Sequence, residues 1–235
     1  MLLFLVVGIG AVFLAHTAPF PFLLEAFAPS RSIWRMPDQG GPPLVYLTYD
    51  DGPNPAATPA LLDVLRETEA RATFFLIDAH LDESTAPIVR RMFAEGHAVA
   101  LHASSRALMV TTPETLAARL THNAERIERL AGQRPCRLFR PHAGWRSGSM
   151  YAGLAQIDHQ LVGWSWGLWD WNWYRPRDAE RLARRLAKRV SRGHIIVMHD
   201  GHHVDPAPDR RYAVEATRML VPAVKNRGYG FGTMC

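Results

Sequence analysis

The chain has 235 residues, 48% of them hydrophobic, and carries 27 Lys and Arg against 22 Asp and Glu. This length and composition suit one α/β domain with a full core and argue against two small domains. The sequence has no internal repeat and no low-complexity block, which excludes a repeat array. Its two cysteines, Cys136 and Cys235, are too few for a disulfide framework, so neither their pairing nor the redox compartment follows from the sequence.

The N-terminal segment contains no charged side chain over residues 1–24. As a helix rising about 1.5 Å per residue it would reach roughly 36 Å, enough to cross a bilayer core of about 30 Å. We therefore predict that residues 1–28 form a hydrophobic anchor or a signal sequence. A cleaved signal peptide usually has basic residues before the apolar run and small residues at its cleavage site. No Lys or Arg precedes Arg31, and Pro19 and Pro21 crowd that site, which favours an uncleaved anchor.

Residues 29–43 are rich in Pro and Gly and are predicted to link this segment to a domain over residues 44–235. Within the domain, short apolar runs alternate with amphipathic stretches. The predicted strands are 44–49, 72–77, 98–101, 137–140, 160–165, 194–198 and 228–231. The predicted helices are 58–69, 84–95, 113–131, 147–158, 178–192 and 211–226.

The helix over residues 113–131 has the clearest end signals. Thr112 is a suitable N-cap, Pro113 suits the first helical position and Gly132 suits the C-terminal stop. A strand followed by a helix, about six times over, is typical of a parallel sheet. Six or seven such units fit a barrel better than an open sheet, although the pattern alone leaves a doubly wound fold open.

Much of the positive charge lies on the predicted helix 178–192, where Arg and Lys cover the face opposite the apolar residues. Two interpretations are open: a solvated outer helix, or a surface that contacts anionic lipid head groups beside the N-terminal anchor. The basic residues are not interleaved with exposed aromatic side chains, so we do not expect nucleic-acid binding.

Polar side chains follow five of the predicted strands. In a parallel barrel the carboxyl ends of all strands open on one face, where the active site is built. The residues at these positions are Asp50, Asp51, His102, Arg140, Asp170, His199 and Asp200. So many polar residues at one rim indicate a functional site rather than packing.

Five segments around these residues resemble the motifs of the NodB-like polysaccharide deacetylases. They are LTYDDGPNP at 47–55, GHAVALHASSR at 96–106, RPHAG at 140–144, WSWGLWDW at 164–171 and IVMHDG at 196–201, in the order that the family has them. The resemblance implies a distorted (β/α) barrel of about seven strands. It also implies a metal-dependent hydrolase that removes N-acyl groups, N-acetyl above all, from amino sugars.

Matched residue by residue, the resemblance also implies catalytic roles. Asp50 would be the general base and Arg140 would orient it. Asp170 would tune His199, which would be the general acid. Amide hydrolysis needs an activated water and a proton for the departing amine, which a carboxylate and a protonated imidazole can supply.

The same match makes Asp51 and His102 ligands of a divalent metal such as zinc. The family's second metal histidine is replaced by Arg106, whose guanidinium has no lone pair to offer a cation. Three accounts are open. In the first, His142, which replaces a family proline on the same rim, completes the site. In the second, Asp51, His102 and water bind the metal weakly, and in the third the metal is absent and Arg106 pairs with the carboxylates.

Five Trp residues cluster around the fourth motif, between positions 164 and 173. Most of them suit a core role, but aromatic side chains also wall acyl pockets and stack on sugar rings. We expect Trp166, Trp171 and Tyr49 to line the substrate pocket.

Three functions are consistent with these features. The first is N-deacetylation of a cell-envelope or extracellular amino-sugar polymer. The second is deacylation or deformylation of a lipid-linked glycan, which a membrane anchor and a basic helix favour. The third is sugar binding by a relative that has lost catalysis. Because Asp50, Arg140, Asp170 and His199 are all present, we expect an enzyme.

Two features bear on which side of the membrane the domain lies, and they disagree. Arg31 and Arg35 come directly after the apolar segment, and the positive-inside rule applied to them alone would keep the domain cytoplasmic. An envelope or extracellular substrate requires the opposite side. We expect a membrane-associated protein with an extracytoplasmic catalytic domain.

Overall fold

The computed structural model describes residues 7–8, 32–38, 40–167 and 178–235. Nine strands and six α-helices lie in these ranges. The strands are β1 (Ser32–Ile33), β2 (Leu44–Gly52), β3 (Ala72–Ile77), β4 (Ala98–His102), β5 (Leu138–Arg140), β6 (Gln160–Val162), β7 (Trp166–Gly167), β8 (Ile195–His199) and β9 (Gly230–Phe231). The helices are α1 (Thr58–Glu67), α2 (Ala86–Ala94), α3 (Pro113–Ala131), α4 (Gly148–Gln156), α5 (Ala179–Ala187) and α6 (Arg211–Lys225).

The strands form one parallel sheet in the order β1-β6-β5-β4-β3-β2-β8-β7, and β9 pairs with the start of β2. The segment between β6 and β7 joins the two edges of this sheet. The backbone N–H of Ser165 donates to the carbonyl of Ile195 (2.8 Å), and its hydroxyl donates to the carbonyl of Trp34 (2.7 Å). The predicted distorted (β/α) barrel is therefore confirmed.

Side chains alternate between the barrel interior and the helical layer outside it. On β2, Tyr46 belongs to the inner cluster, whereas Val45, Leu47 and Tyr49 belong to the cluster that packs against the helices. The buried members of the inner cluster are Tyr46, Phe75, Ala100, Leu138, Val162, Ile195 and Met234. Since successive residues of a strand face opposite sides, Asp50 continues the inner row of β2.

All seven predicted strands and all six predicted helices are present, with ends that differ by a few residues from the predicted ones. Two strands were not predicted. β7 begins at Trp166 inside the Trp-rich fourth motif, and β1 lies inside the segment 29–43 that the sequence predicts as a linker. Each is two residues long, too short to display an alternating pattern.

The ends of α3 follow the sequence signals. The Thr112 hydroxyl oxygen accepts a hydrogen bond from the Thr115 backbone N–H (3.2 Å), and Gly132 takes the left-handed conformation with φ of 73°. None of the helices in the described ranges is long and apolar enough to cross a membrane. The segment predicted as an anchor lies outside those ranges except for Val7 and Gly8.

Cys136 and Cys235 form a disulfide, with their Cα atoms 6.1 Å apart. Cys136 precedes β5, and Cys235 is the last residue of the chain. The bond therefore fastens the C-terminal segment to the barrel, a pairing that the sequence alone leaves open.

Candidate active site

Four predicted site residues lie on adjacent strands at one rim of the barrel. Asp50 on β2 pairs in register with His199 on β8, and His102 on β4 pairs with Arg140 on β5. Residues paired in a parallel sheet point to the same side. The strands thus present these side chains together at their carboxyl ends.

Asp50 and Arg140 form a buried ion pair. Asp50 is 3% exposed and Arg140 is fully buried. One terminal nitrogen of Arg140 donates to Oδ1 of Asp50 (2.6 Å) and to Oγ1 of Thr48 (2.8 Å), and the other donates to the carbonyl of Gly163 (3.0 Å). The guanidinium lies 4.0 Å from the centre of the Phe75 ring. Arg140 therefore fixes the orientation of the Asp50 carboxylate, as the motif match implies.

The backbone at the end of β2 brings Asp51 to the same rim as Asp50. Two consecutive strand residues would face opposite sides, but the register shifts between Asp50 and Gly52, and Asp51 has a φ of 68°. This turn needs Gly201 beside it. A Cβ atom on Gly201 would lie 1.9 Å from the carbonyl oxygen of Asp51.

Asp51, His102 and His142 offer donor atoms that all lie within 4.8 Å of one another. Nδ1 of His102 is 2.7 Å from the carbonyl oxygen of Arg140 and donates to it, which leaves Nε2 facing Oδ1 of Asp51 at 3.2 Å. Nε2 of His102 and Oδ1 of Asp51 are within ion-pair distance, but their geometry is not that of a hydrogen bond. Oδ1 of Asp51 is therefore buried without a hydrogen-bond partner. Donors on one zinc ion lie at most about 4 Å apart, so small side-chain rotations would suffice.

The charges in this cluster also suit a cation. Burial and, to a smaller extent, the positive charge of His102 together lower the pKa of His142 to about 4, so His142 is a neutral donor near neutral pH. Burial also lowers the pKa of His102, but the negative charges of Asp50 and Asp51 outweigh burial and raise it. Burial raises the pKa of Asp51, yet contact with His102 and the neighbouring imidazoles reverse this and lower it. A buried carboxylate with an orphaned oxygen and two imidazoles fit a divalent metal.

Arg106 takes no part in this cluster. Its side chain is exposed, and its guanidinium lies 5.3 Å from the centre of the Trp145 ring. It forms no ion pair with any carboxylate in the part of the chain that the structure describes. The account in which Arg106 replaces the metal by pairing with Asp50 and Asp51 is therefore contradicted.

Two residues predicted for the substrate pocket lie elsewhere. Tyr49 is fully buried on the outer side of β2, where its ring stacks on Phe74 and its hydroxyl bonds Thr217 (2.8 Å). Burial raises its pKa. The prediction for Tyr49 is wrong because the alternation that turns Asp50 inward turns its neighbour outward.

Trp166 also faces outward. β7 pairs with β8, where Trp166 is in register with Ile196, a residue of the outer cluster. The Trp166 ring lies 5.1 Å from the guanidinium of Arg189 and 6.4 Å from the His194 ring. The pocket prediction for Trp166 is wrong because β7 pairs with β8 and does not continue β6. The alternation of inward and outward side chains along β6 therefore does not carry over to Trp166. Asp170 and Trp171 lie outside the described residues.

The structure adds a supporting residue to which the motif match gives no role. Asp200, directly after β8, is buried; its Oδ2 accepts a hydrogen bond from the Thr58 hydroxyl, and its backbone carbonyl accepts one from Asn54 (2.7 Å). Burial raises the pKa of Asp200 to about 7. Asp200 thus ties the end of β8 to the start of α1 through its side chain and to the loop after β2 through its backbone. Its place after His199 in the sequence was the available signal.

Trp164 and His203 complete the surroundings of the site. Trp164 lies 5.9 Å from the Arg140 guanidinium and packs so closely on Gly144 that a Cβ atom there would lie 2.9 Å from the Trp164 ring. The His203 ring is 4.9 Å from that of His142. Neither position is evident from strand-end spacing, because each contact depends on the path of a loop.

The comparisons with known proteins agree with this geometry. A model of the family described as polysaccharide deacetylase matches residues 38–162. The chain is 29% identical over 202 residues to the peptidoglycan-N-acetylglucosamine deacetylase of Bacillus cereus, covering 86% of this chain and 90% of that protein. It is 35% identical over 195 residues to the chitooligosaccharide deacetylase of Sinorhizobium fredii, covering 80% of this chain and 89% of that protein.

A solved structure is similar over most of the barrel. It is a family 4 acetyl xylan esterase from Clostridium thermocellum in complex with a cobalt ion, with a TM-score of 0.71 at 31% identity, covering 81% of this chain and 88% of that chain. The family model spans more than half of the sequence, and the relatives are matched over most of their length. This protein therefore belongs to the polysaccharide deacetylase family.

Proposed function

We propose that the protein is a metal-dependent hydrolase that removes N-acetyl groups from the amino sugars of a polysaccharide. One observation carries this proposal: the buried Asp50–Arg140 pair lies beside the donor set of Asp51, His102 and His142 at the rim of the barrel. A fixed carboxylate next to a cation site is what hydrolysis of an unactivated amide requires.

The metal would be held by Asp51, His102 and His142, with His142 in place of the family's second metal histidine. A divalent ion such as zinc, held by these residues, would polarise the acetamide carbonyl and lower the pKa of a water beside it. The hydrogen bond from His102 to the carbonyl of Arg140 orients its ring for this role. The exposed position of Arg106 supports His142 as the replacement.

The remaining residues would move protons. Asp50 accepts the proton of the attacking water, and Arg140 holds its carboxylate in place through the 2.6 Å contact. His199, in register with Asp50 on the neighbouring strand, delivers a proton to the departing amine. Asp170 is assigned the tuning of His199 by its motif alone.

The substrate class is supported by the relatives. One acts on peptidoglycan N-acetylglucosamine and another on chitooligosaccharides, both polymers or oligomers of N-acetylated amino sugars. Because the chain is also similar to an acetyl xylan esterase, hydrolysis of O-acetyl groups is the alternative reaction against which N-deacetylation is tested. A lipid-linked N-acylated sugar is the second comparison substrate, because exposed Arg side chains lie along α5 and the exposed Lys188 follows it.

The test measures acetate release by the purified full-length chain, in detergent, from chitooligosaccharides, peptidoglycan fragments, acetyl xylan and a lipid-linked N-acetylated sugar. We expect turnover of the amino-sugar oligomers, its loss after chelation and its return when zinc or cobalt is added. Turnover of acetyl xylan alone would assign an esterase instead. No turnover by protein that contains metal would identify an inactive sugar-binding relative.

The Asp50→Asn variant tests the general base. We expect kcat to fall by about 10²- to 10⁴-fold, with metal content unchanged by elemental analysis. Because Asp50 is the partner of a buried guanidinium, the variant should also have a lower melting temperature. Near-wild-type kcat would remove Asp50 from the mechanism.

For the location, we propose a membrane-associated protein whose catalytic domain is extracytoplasmic. The uncharged residues 1–24 and the Cys136–Cys235 disulfide support this, since disulfides persist in oxidising compartments. Retention in membranes through carbonate washes, together with digestion by protease added outside intact cells, is the expected result. Recovery of a mature protein without residues 1–24 would instead indicate a cleaved signal peptide.

A further inference from the structure

We infer that Arg106 and Trp145 form a subsite for an acidic group of the substrate. The preferred substrate would then be an amino-sugar polymer that carries a carboxylate or a phosphate close to the acetylated sugar. This inference rests on the proposed deacetylase function and specifies its substrate.

Arg106 presents an exposed guanidinium against the ring of Trp145. Its side chain is solvent-exposed and lies 5.3 Å from the centre of the Trp145 ring, within the range of a cation–π contact. No carboxylate in the described ranges pairs with it. Stacking on an aromatic ring restrains the plane of a guanidinium while its N–H groups stay available, and that fork matches the oxygens of a carboxylate or phosphate.

Both members of the subsite lie close in the chain to residues of the donor set. Arg106 is four residues after His102, and Trp145 is three residues after His142. The backbone N–H of Trp145 donates to the carbonyl of His142 (3.2 Å), which ties the stacking ring to the turn that carries this donor. A sugar ring bound at the donor set would therefore place its neighbouring substituents near Arg106.

The charge of the rim favours the same class of ligand. A bound divalent ion would offset the two negative charges of Asp50 and Asp51. The positive charges of Arg140 and Arg106 would then give the rim a net positive charge. The positive charge of Arg140 is fully buried under the site and cannot contact a substrate substituent directly. Arg106 is the exposed cation of this set.

The test compares matched substrates. Glycan fragments with free N-acetylmuramic acid carboxylates are compared with the same fragments blocked as methyl amides, and a phosphorylated chitooligosaccharide is compared with its neutral parent. For wild type we expect kcat/KM to be at least about 10-fold higher on the acidic member of at least one pair, the value of one charge-assisted hydrogen bond. The pair that shows the preference identifies carboxylate or phosphate.

The variants separate a specificity role from a structural one. Arg106→Gln should reduce the ratio of acidic to neutral kcat/KM by about 10- to 100-fold, and Arg106→Lys by less, because an ammonium keeps the charge but not the fork. Arg119→Gln, which removes an exposed arginine of α3, should leave that ratio as in wild type. An equal loss on both members of each pair, or a wild type without preference, overturns the inference.

Binding to metal-free protein gives a second readout. Dissociation constants for acidic and blocked fragments, measured by calorimetry, should show the same preference and its loss in Arg106→Gln. If no substrate releases acetate, the proposed function fails while these constants still decide the acidic subsite. Equal dissociation constants for the two fragments in wild type would refute it.

Discussion

At the scale of single residues, His142 decides whether the donor set is complete. It lies in a short turn after β5, where Ala143 and Gly144 both have positive φ and turn the chain back over the rim. We expect His142→Ala to weaken metal binding by more than the roughly 10- to 100-fold typical of losing an outer-shell partner. Competition with a chelator of known affinity measures this, with His122→Ala, an exposed histidine of α3, as control.

Arg106→His extends this test. It places a donor where the family has its second metal histidine, so in the His142→Ala background it should restore part of the lost affinity. In the wild-type background Arg106→His should raise metal affinity less, because His142 already occupies that coordination position. Metal affinity of His142→Ala equal to that of wild type would show that the ion is held by Asp51, His102 and water instead.

Asp200 gives the stability of the metal-free protein a dependence on pH. Burial raises the pKa of Asp200 to about 7, above its ordinary value of 3.8, so the folded state keeps a proton that the unfolded chain releases. Stability from this group is complete below about pH 4 and declines as the pH rises to about 7. The shift of about 3 pKa units corresponds to a decline of roughly 4 kcal/mol, at about 1.4 kcal/mol per unit.

Asp200→Asn removes the ionisation, so its melting temperature should fall less than that of wild type between pH 5 and pH 8. Thermal denaturation of both metal-free proteins at the two values measures the difference. Asp158→Asn, which changes an exposed carboxylate, is the matched control and should follow wild type. Parallel curves for wild type and Asp200→Asn would mean that Asp200 is ionised throughout.

At the scale of elements, the contact between the ends of β2 and β8 positions Asp51. Gly201 lies so close to Asp51 that a Cβ atom would overlap its carbonyl group, whereas Gly148 at the start of α4 has nothing within 4 Å of its Cβ position. We expect Gly201→Ala to lower both metal occupancy and melting temperature, and Gly148→Ala to change neither. Full metal occupancy in Gly201→Ala would mean that the strand ends can separate without moving the donor set.

The elements also show which features the sequence can predict. The rim residues were predictable because a parallel barrel places every strand end on one face, and the ends of α3 because Thr112 and Gly132 act locally. The orientation of Trp166 was not, since it depends on which strand β7 joins. The orientation of Tyr49, in contrast, was predictable. The alternation of side chains along β2 places Tyr49 on the side opposite to its neighbour Asp50, and the pocket prediction did not apply that alternation.

At the scale of the whole molecule, the C-terminal segment closes the barrel end away from the site. Met234 belongs to the inner cluster, and its backbone N–H donates to Oγ1 of Thr73 (3.0 Å) near the start of β3. Cys235 then bonds Cys136, before β5. The sequence alone leaves this pairing open, because the pairing depends on the path of a C-terminal segment whose cysteine is 99 residues away from its partner.

This arrangement predicts that the disulfide stabilises the fold without serving catalysis. A bridge across a loop of about 100 residues contributes about 4–5 kcal/mol by restricting the unfolded chain. The Cys136→Ser/Cys235→Ser variant should therefore lose free energy of unfolding of this order in urea, and wild type reduced with a phosphine should match it. At 25 °C its kcat should equal that of wild type, because the bond lies at the opposite end of the strands from Asp50 and His102. Equal unfolding free energies for oxidised wild type and the variant would show that the tail is held by Met234 and its neighbours alone.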